Sequence, residues 1–329
     1  MNNSYNHYLD PDFFTKKEAQ RKEIKYIGYY TGFALVSQIV IEYVMSWFLK
    51  IAGLTDKYIN DGVFQNCADI IIVCVAMLVP FLFVGKKMQQ VSREEEPIAL
   101  GKPTSALTFI LAVVAGIGFC MIANIVTSYF TVFVSLFGVE LYTPDIPMPG
   151  GSVGVITSIV RIVVVAAITE ELVLRGYVMG NLRKYGDTFA ILASSVVFAL
   201  MHGNLVQAPF ALIAGMGLGY LSVKTGTIWT GITIHACNNF ISTAVSYAMD
   251  ILPDETVNVI YVFILYGFIF FGMVALWLLK SSDKLLPIRR DYLGTTTKEK
   301  MKLFFINPAM IPPIAYMLYI TAKFVGFSF

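Results

Sequence analysis

Long apolar runs divided by short polar segments set the pattern of this chain. After about 25 largely polar residues, apolar stretches recur at about 26–50, 67–85, 106–137, 156–182, 187–202, 205–223, 227–249 and 257–280. A helix crosses the hydrocarbon core of a bilayer with about 20 apolar residues, so the pattern predicts eight spanning helices. A ninth stretch, 303–326, is interrupted by Asn307, Pro308, Pro312, Pro313 and Lys323, and either spans or lies partly in the interface. The expected fold class is all-α, a polytopic transmembrane helix bundle of eight or nine spans. No cleavable signal peptide is expected, because its apolar region would start sooner and run shorter.

Composition agrees. The chain is 57% hydrophobic and 14% charged, against about 25% charged in soluble domains. A net charge of +2, without a basic stripe interleaved with aromatics, excludes a nucleic-acid partner; the partner implied is the lipid bilayer. Threading the helices from an inside N-terminus puts 20 of the 24 Lys and Arg on one side. Loops 138–152 and 250–256 on the other side hold Glu140, Asp145, Asp250, Asp254 and Glu255 and no base. The positive-inside rule then predicts an integral membrane protein, at the plasma membrane, with a cytoplasmic N-terminus. Glu94, Glu95 and Glu96 read as a solvated loop. Cys67, Cys74, Cys120 and Cys237 form no CxxC or Cys/His spacing and read as packing residues.

Ionisable residues inside spanning segments are rare and usually functional or paired. Here they are Glu42, Asp69, Arg161, Glu170, Glu171, Arg175, His202 and His235. Arg161 and Arg183 read as the two ends of one crossing, snorkelling to opposite interfaces. Asp69 reads as interfacial, and Glu42 receives no role. At about 1.5 Å rise per residue, Glu170, His202 and Asn239 stand about 18–22 Å from the cytoplasmic side, with His235 one turn lower. Residues four apart share a helix face, so Glu171 and Arg175 read as an ion pair. Glu170 is turned about 100° away and is free for something else. His235 and Asn239 share a face, as do Phe198 and His202, and Gly203 ends the helix that carries the latter pair. Each His alone can be a satisfied structural residue, and an Asn can be an interhelical hydrogen bond; four such groups at one level point to a site. The run Gly215, Gly217, Gly219 reads as close helix packing.

Three motifs lie in order: Glu170-Glu171-Leu172-Val173-Leu174-Arg175 (EExxxR), Phe198-Ala199-Leu200-Met201-His202 (FxxxH) and His235-Ala236-Cys237-Asn238-Asn239 (HxxxN). Together they resemble the CPBP intramembrane proteases, which include the type 2 CAAX prenyl proteases and the Abi or bacteriocin-processing proteins. The resemblance covers about residues 150–250 and divides the chain into a cytoplasmic polar tail (1–25), N-terminal transmembrane helices and loops (26–149), a catalytic core (150–250) and a C-terminal helix, basic loop and apolar tail (251–329). It implies hydrolysis of a peptide bond in a peptide or membrane-protein substrate. Glu170 would act as general base on a water that His202 holds or polarises, and His235 and Asn239 would stabilise the oxyanion. Glu171, Arg175 and Phe198 would support them.

The family's metalloprotease name makes zinc a candidate, held by Glu170, His202 and His235. A metal-free glutamate mechanism is favoured, because the chain has no HExxH and Glu171 is tied to Arg175. His7, the one remaining histidine, stands in the polar tail. Two rival readings stay open: a non-catalytic immunity or scaffold protein, and a proton-coupled transporter using Glu42, Asp69 and Glu170.

Overall fold

A computed structural model describes residues 12–97, 99–144, 146, 148–281 and 284–327; His7 and Asp145 lie outside the described residues. The structure is mostly helical (79%), with eleven helices among the described residues. These are α1 (Phe13–Ile51), α2 (Thr55–Asn60), α3 (Gly62–Ser92), α4 (Ala106–Ser135), α5 (Gly151–Tyr185) and α6 (Asp187–Met201). They continue as α7 (Ala208–Thr225), α8 (Ile228–Met249), α9 (Asp254–Lys280), α10 (Thr297–Phe305) and α11 (Ile311–Lys323). Two short strands, β1 (Val139–Leu141) and β2 (Val325–Phe327), pair antiparallel.

Five helices, α1, α3, α4, α5 and α9, are long and apolar enough to cross a membrane. The remaining apolar runs differ for identifiable reasons. Helix α6 has only 15 residues. Helix α8 has 22, but Thr230, Thr233, His235, Asn238 and Asn239 make it less apolar than α7 and α9. The 303–326 stretch is not one helix. It breaks where Asn307 folds back, its Nδ2 donating to the Phe304 carbonyl and its Oδ1 accepting from the Ala309 and Met310 amides. The polar segment that precedes residue 26 is also helical from Phe13 onward, and it buries Phe13, Gln20 and Ile24.

Backbone contacts sort the helix ends into two sets. At one end, Ile228 N donates to Ala99 O and Leu286 N to Lys224 O, and Lys300 Nζ reaches Tyr185 O at 2.7 Å. At the other, Asn66 Nδ2 donates to Ser158 Oγ at 2.9 Å, and Tyr247 Oη stands within hydrogen-bond distance of the same Ser158 hydroxyl and of Pro149 O, with one phenol proton to share between them. Helices α10 and α11 run the full distance between these ends, from Tyr185 to the β1–β2 pair.

Buried apolar side chains form two clusters. One joins α1, α3, α5, α6 and α10 through Ile24, Phe81, Leu174, Phe189 and Phe304. The other joins α4, α7, α8 and α9 through Cys120, Leu218, Ile234 and Leu265. Glu170, Glu171 and His202 come from the first group of helices and His235 and Asn239 from the second, so the candidate residues meet at the seam.

Candidate active site

Helix α5 is irregular where it matters. Wide, π-type turns occupy Ile159–Val165 and Leu172–Met179, on either side of the regular turn Ala166–Glu171. Such bulges displace the backbone hydrogen-bond ladder and cluster at functional sites. Here one freed carbonyl is used: Ile162 O accepts from Asn239 Nδ2 at 2.9 Å, tying α5 to α8.

Glu171 and Arg175 pair at 2.9 Å with both side chains fully buried, as the four-residue spacing requires. The same Glu171 Oε1 also accepts from His235 Nδ1 at 3.1 Å. A carboxylate paired with Arg175 is acceptor-only, so it fixes the proton on Nδ1. Glu171 therefore orients His235 as well as neutralising Arg175, a link across 64 residues that helical spacing does not reveal. Arg175 spends Nη2 on the Gly215 carbonyl at 3.1 Å and lies over the Phe198 ring. Phe198 in turn meets both imidazoles edge-on, with centroids 4.8 Å from His202 and 5.7 Å from His235.

His202 caps α6. Its Nδ1 stands 2.8 Å from the Phe198 carbonyl, which can only accept, so Nδ1 carries the proton and Nε2 keeps its lone pair. The turn beyond it uses Gly203 at φ +62°, in the left-handed region. Buried Asn204 holds the turn closed, donating to His202 O and Gln207 Oε1 and accepting from Gln207 N. The Gly203-Asn204 dipeptide is a turn signal that could have marked Asn204 from the sequence.

Glu170 faces away from this network. Its Oε2 is buried, makes no hydrogen bond among the described residues, and stands 3.7 Å from His235 Nε2. Glu170, His202, His235, Asn239 and Phe198 line one cavity of about 420 Å³. A second, of about 490 Å³, shares His202 and Asn239 with it and extends between α4, α8 and α9. The four groups expected at one level thus meet at one place.

Two readings need correction. Arg161 does not snorkel: it pairs with Asp69 at 3.0 Å and donates to Asn66 Oδ1 at 2.8 Å, because α3 presents both acceptors beside it. Asp69 is likewise a cavity wall rather than an interfacial residue, and it accepts from Tyr58 Oη at 2.6 Å. Burial and that bond push the Tyr58 phenol up to about 12, so it remains the donor. Glu42, left without a role by sequence, lines the same cavity and accepts from Gln38 Nε2 at 3.1 Å. Arg183 pairs with Asp187 at 2.7 Å. Cys67 is exposed and so is no packing residue, whereas Cys120 is buried.

Zinc would need Glu170, His202 and His235 to converge. Among the described residues no three His, Cys, Asp or Glu side chains form a group that could hold a metal. Nδ1 of each imidazole is engaged, in His235 by Glu171 and in His202 by the Phe198 carbonyl, so Nε2 is the uncommitted ring nitrogen of both.

Fold and site together define a polytopic helical membrane protein with an intramembrane acid–histidine site. Residues 152–241 match the family model described as Rce1-like, type II CAAX prenyl endopeptidase Rce1-like, and over this segment the chain is similar to the CAAX-type proteases. No curated protein and no solved structure matches the chain.

Proposed function

We propose that the protein is a metal-free intramembrane endopeptidase in which Glu170 activates the attacking water. The observation that carries this is the division between adjacent glutamates. Glu171 is bonded to Arg175 and His235, whereas Glu170 presents an unengaged carboxylate oxygen in the cavity. Glu170 removes a proton from water, and the resulting hydroxide attacks the substrate carbonyl carbon. The negative charge moves to the carbonyl oxygen. Collapse of the intermediate breaks the C–N bond, and the proton passes from Glu170 to the departing amine. One water is consumed, and a carboxylate and an amine are formed.

His202 Nε2 has the lone pair needed to hold one proton of that water, since Nδ1 is committed to Phe198 O. Asn239 gives one N–H to Ile162 O and keeps the second for the oxyanion. His235 can donate from Nε2 only as the imidazolium, because Nδ1–H already points to Glu171. That form lies between two carboxylates, which suits it. Fixed donors of this kind are worth about 3–4 kcal/mol of barrier each.

The membrane arrangement goes with this reading. The chain crosses eight times, or nine when α10–α11 is counted, in the plasma membrane with the N-terminus cytoplasmic. The substrate is a peptide or membrane protein; the family name adds a prenylated C-terminal tail as one candidate. Comparing peptides released from membranes of wild type, Glu170→Ala and His202→Ala tests the proposal, with loss of the same peptides expected in both variants. Identical peptide sets in all three strains would remove the protease reading. Activity lost to a chelator and regained with zinc would remove its metal-free form.

A further inference from the structure

The two cavities that share His202 and Asn239 draw their walls from one half of the bundle. The first is lined by Glu42 of α1, Asp69 of α3, Arg161 of α5 and Ile146 of the loop after β1. The second is lined by Thr127 of α4, Ser246 and Met249 of α8 and Tyr261 of α9. Each of these lies toward the end where Asn66, Ser158 and Tyr247 meet. Neither cavity takes a wall residue from the opposite end, where Lys184, Lys300 and Arg289 bond to Glu23, Tyr185 and Glu94.

The hairpin α6–α7 explains the space. Helix α6 enters from the basic end and stops at Met201 after 15 residues, or about 22 Å at 1.5 Å each. That falls short of a hydrocarbon core about 30 Å thick. The turn carrying His202 therefore ends inside the bundle, and the volume beyond it toward the far surface is open. On the basic side the site is closed. Arg175 is 1% exposed, and the gap beside it, reaching Ser222 and Thr227, holds about 10 Å³, no more than one water.

Charge says which surface is which. The basic end gathers the lysines and arginines of residues 16–25, 86–102, 183–184 and 280–302, while the open end carries Asp56, Asp61, Asp250, Asp254 and Glu255 against Lys50, Lys57 and Lys323. By the positive-inside rule the basic end is cytoplasmic.

We propose that the catalytic cavity is loaded from the non-cytoplasmic side by an extended peptide segment of an exported or membrane-anchored polypeptide, laid through both chambers with the scissile bond between Glu170 and Asn239. This rests on the protease reading above. Wall chemistry suits a peptide. Asn124, Thr127, Ser242 and Ser246 line the second chamber and the Arg161–Asp69 pair lines the first, offering hydrogen bonds to an extended backbone, while Met77, Phe198, Phe210 and Ile241 among the same walls offer apolar contact to its side chains. Two chambers meeting at His202 and Asn239 accommodate residues on either side of a cut, which an internal segment supplies.

Single cysteines at Ser246→Cys and Arg290→Cys, each in full-length protein that also carries Cys67→Ser, Cys74→Ser, Cys120→Ala and Cys237→Ser, are treated in intact cells with a membrane-impermeant maleimide. Ser246→Cys is expected to be labelled in intact cells and Arg290→Cys only after lysis. Labelling of Ser246→Cys only after lysis overturns the proposal. In parallel, peptides lost in Glu170→Ala are collected separately from the medium and from the cytosol. Loss from the medium supports loading from outside; loss confined to the cytosol overturns it and leaves the protease reading standing. If no peptide changes in either fraction, the protease reading falls, while the labelling still reports which side the cavity faces.

Discussion

Two arginines of α5, fourteen residues apart in sequence, each pair with a carboxylate, and the two pairs belong to different regions of the molecule. Arg175–Glu171 lies at the closed side of the site, with both side chains 0% exposed. Arg161–Asp69 lies on the open side, with side chains 19% and 13% exposed and a cavity in front of them. The chemistry of the two pairs is the same. Removing water around the first makes each partner indispensable to the other, since a lone buried charge costs far more than the pair gains. At the second, remaining solvent screens both charges. The closed region thus holds the imidazoles still, and the open region meets whatever enters.

The sharpest test of this division sets Glu170→Gln against Glu171→Gln. Removing the base should lower turnover by about 10²–10⁴-fold while leaving unfolding in detergent within about 0.5 kcal/mol of wild type. Glu171→Gln should do the reverse in kind: it strands Arg175 and is expected to destabilise the fold by about 3–5 kcal/mol. Adding Arg175→Met should recover part of that loss, because the two residues form one unit. If the two single variants unfold alike, the adjacent glutamates do not have separate jobs.

How far the sequence reveals this division depends on the range of each contact. Glu171 and Arg175 are one helical turn apart, so their pairing follows from the pitch alone. Glu170, His202, His235 and Asn239 could be placed at one height because three helices start from recognisable markers. The bond from Glu171 to His235 joins separate helices at a particular rotation, and no local periodicity encodes that. Arg161 and Asp69 were misread for the same reason. Snorkelling is the default for a lone arginine near a helix end, and only the packing of α3 on α5 supplies its partner. The wide turns of α5 have no residue signature either: no proline falls within Gly151–Tyr185. Hydropathy marks α8 weakly, because the polar residues that make the site lower the hydropathy by which a span is recognised.

A middle-sized effect is expected on the closed side. A Cβ at Gly231 would stand 2.7 Å from Glu171 Oε2 and 2.8 Å from Ser222 Oγ, both buried oxygens without hydrogen bonds among the described residues. Gly231→Ala should therefore cost about 1–3 kcal/mol by overpacking. It should also lower kcat, because Glu171 cannot move without turning His235. A variant with wild-type stability and reduced kcat would mean that the oxygens shift easily and that only the imidazole's position suffers. Wild-type values for both would show that Glu171 does not set His235.

The smallest stability change is expected from Arg161→Met, and it bears most directly on the comparison. The substitution keeps an unbranched apolar stem and removes the guanidinium with its charge. Asp69 then retains the Tyr58 phenol, which at about 12 stays protonated and donating, and Asn66 retains Ser158. With water also able to reach the carboxylate, the loss should be about 1 kcal/mol, well below that of Glu171→Gln. Because the pair forms a wall of the first chamber, KM for a released peptide should rise with kcat little changed, the pattern of lost uniform binding. A loss of about 3–5 kcal/mol in Arg161→Met would show that the outer pair is as dry as the inner one, and the distinction between a closed supporting region and an open receiving one would not hold.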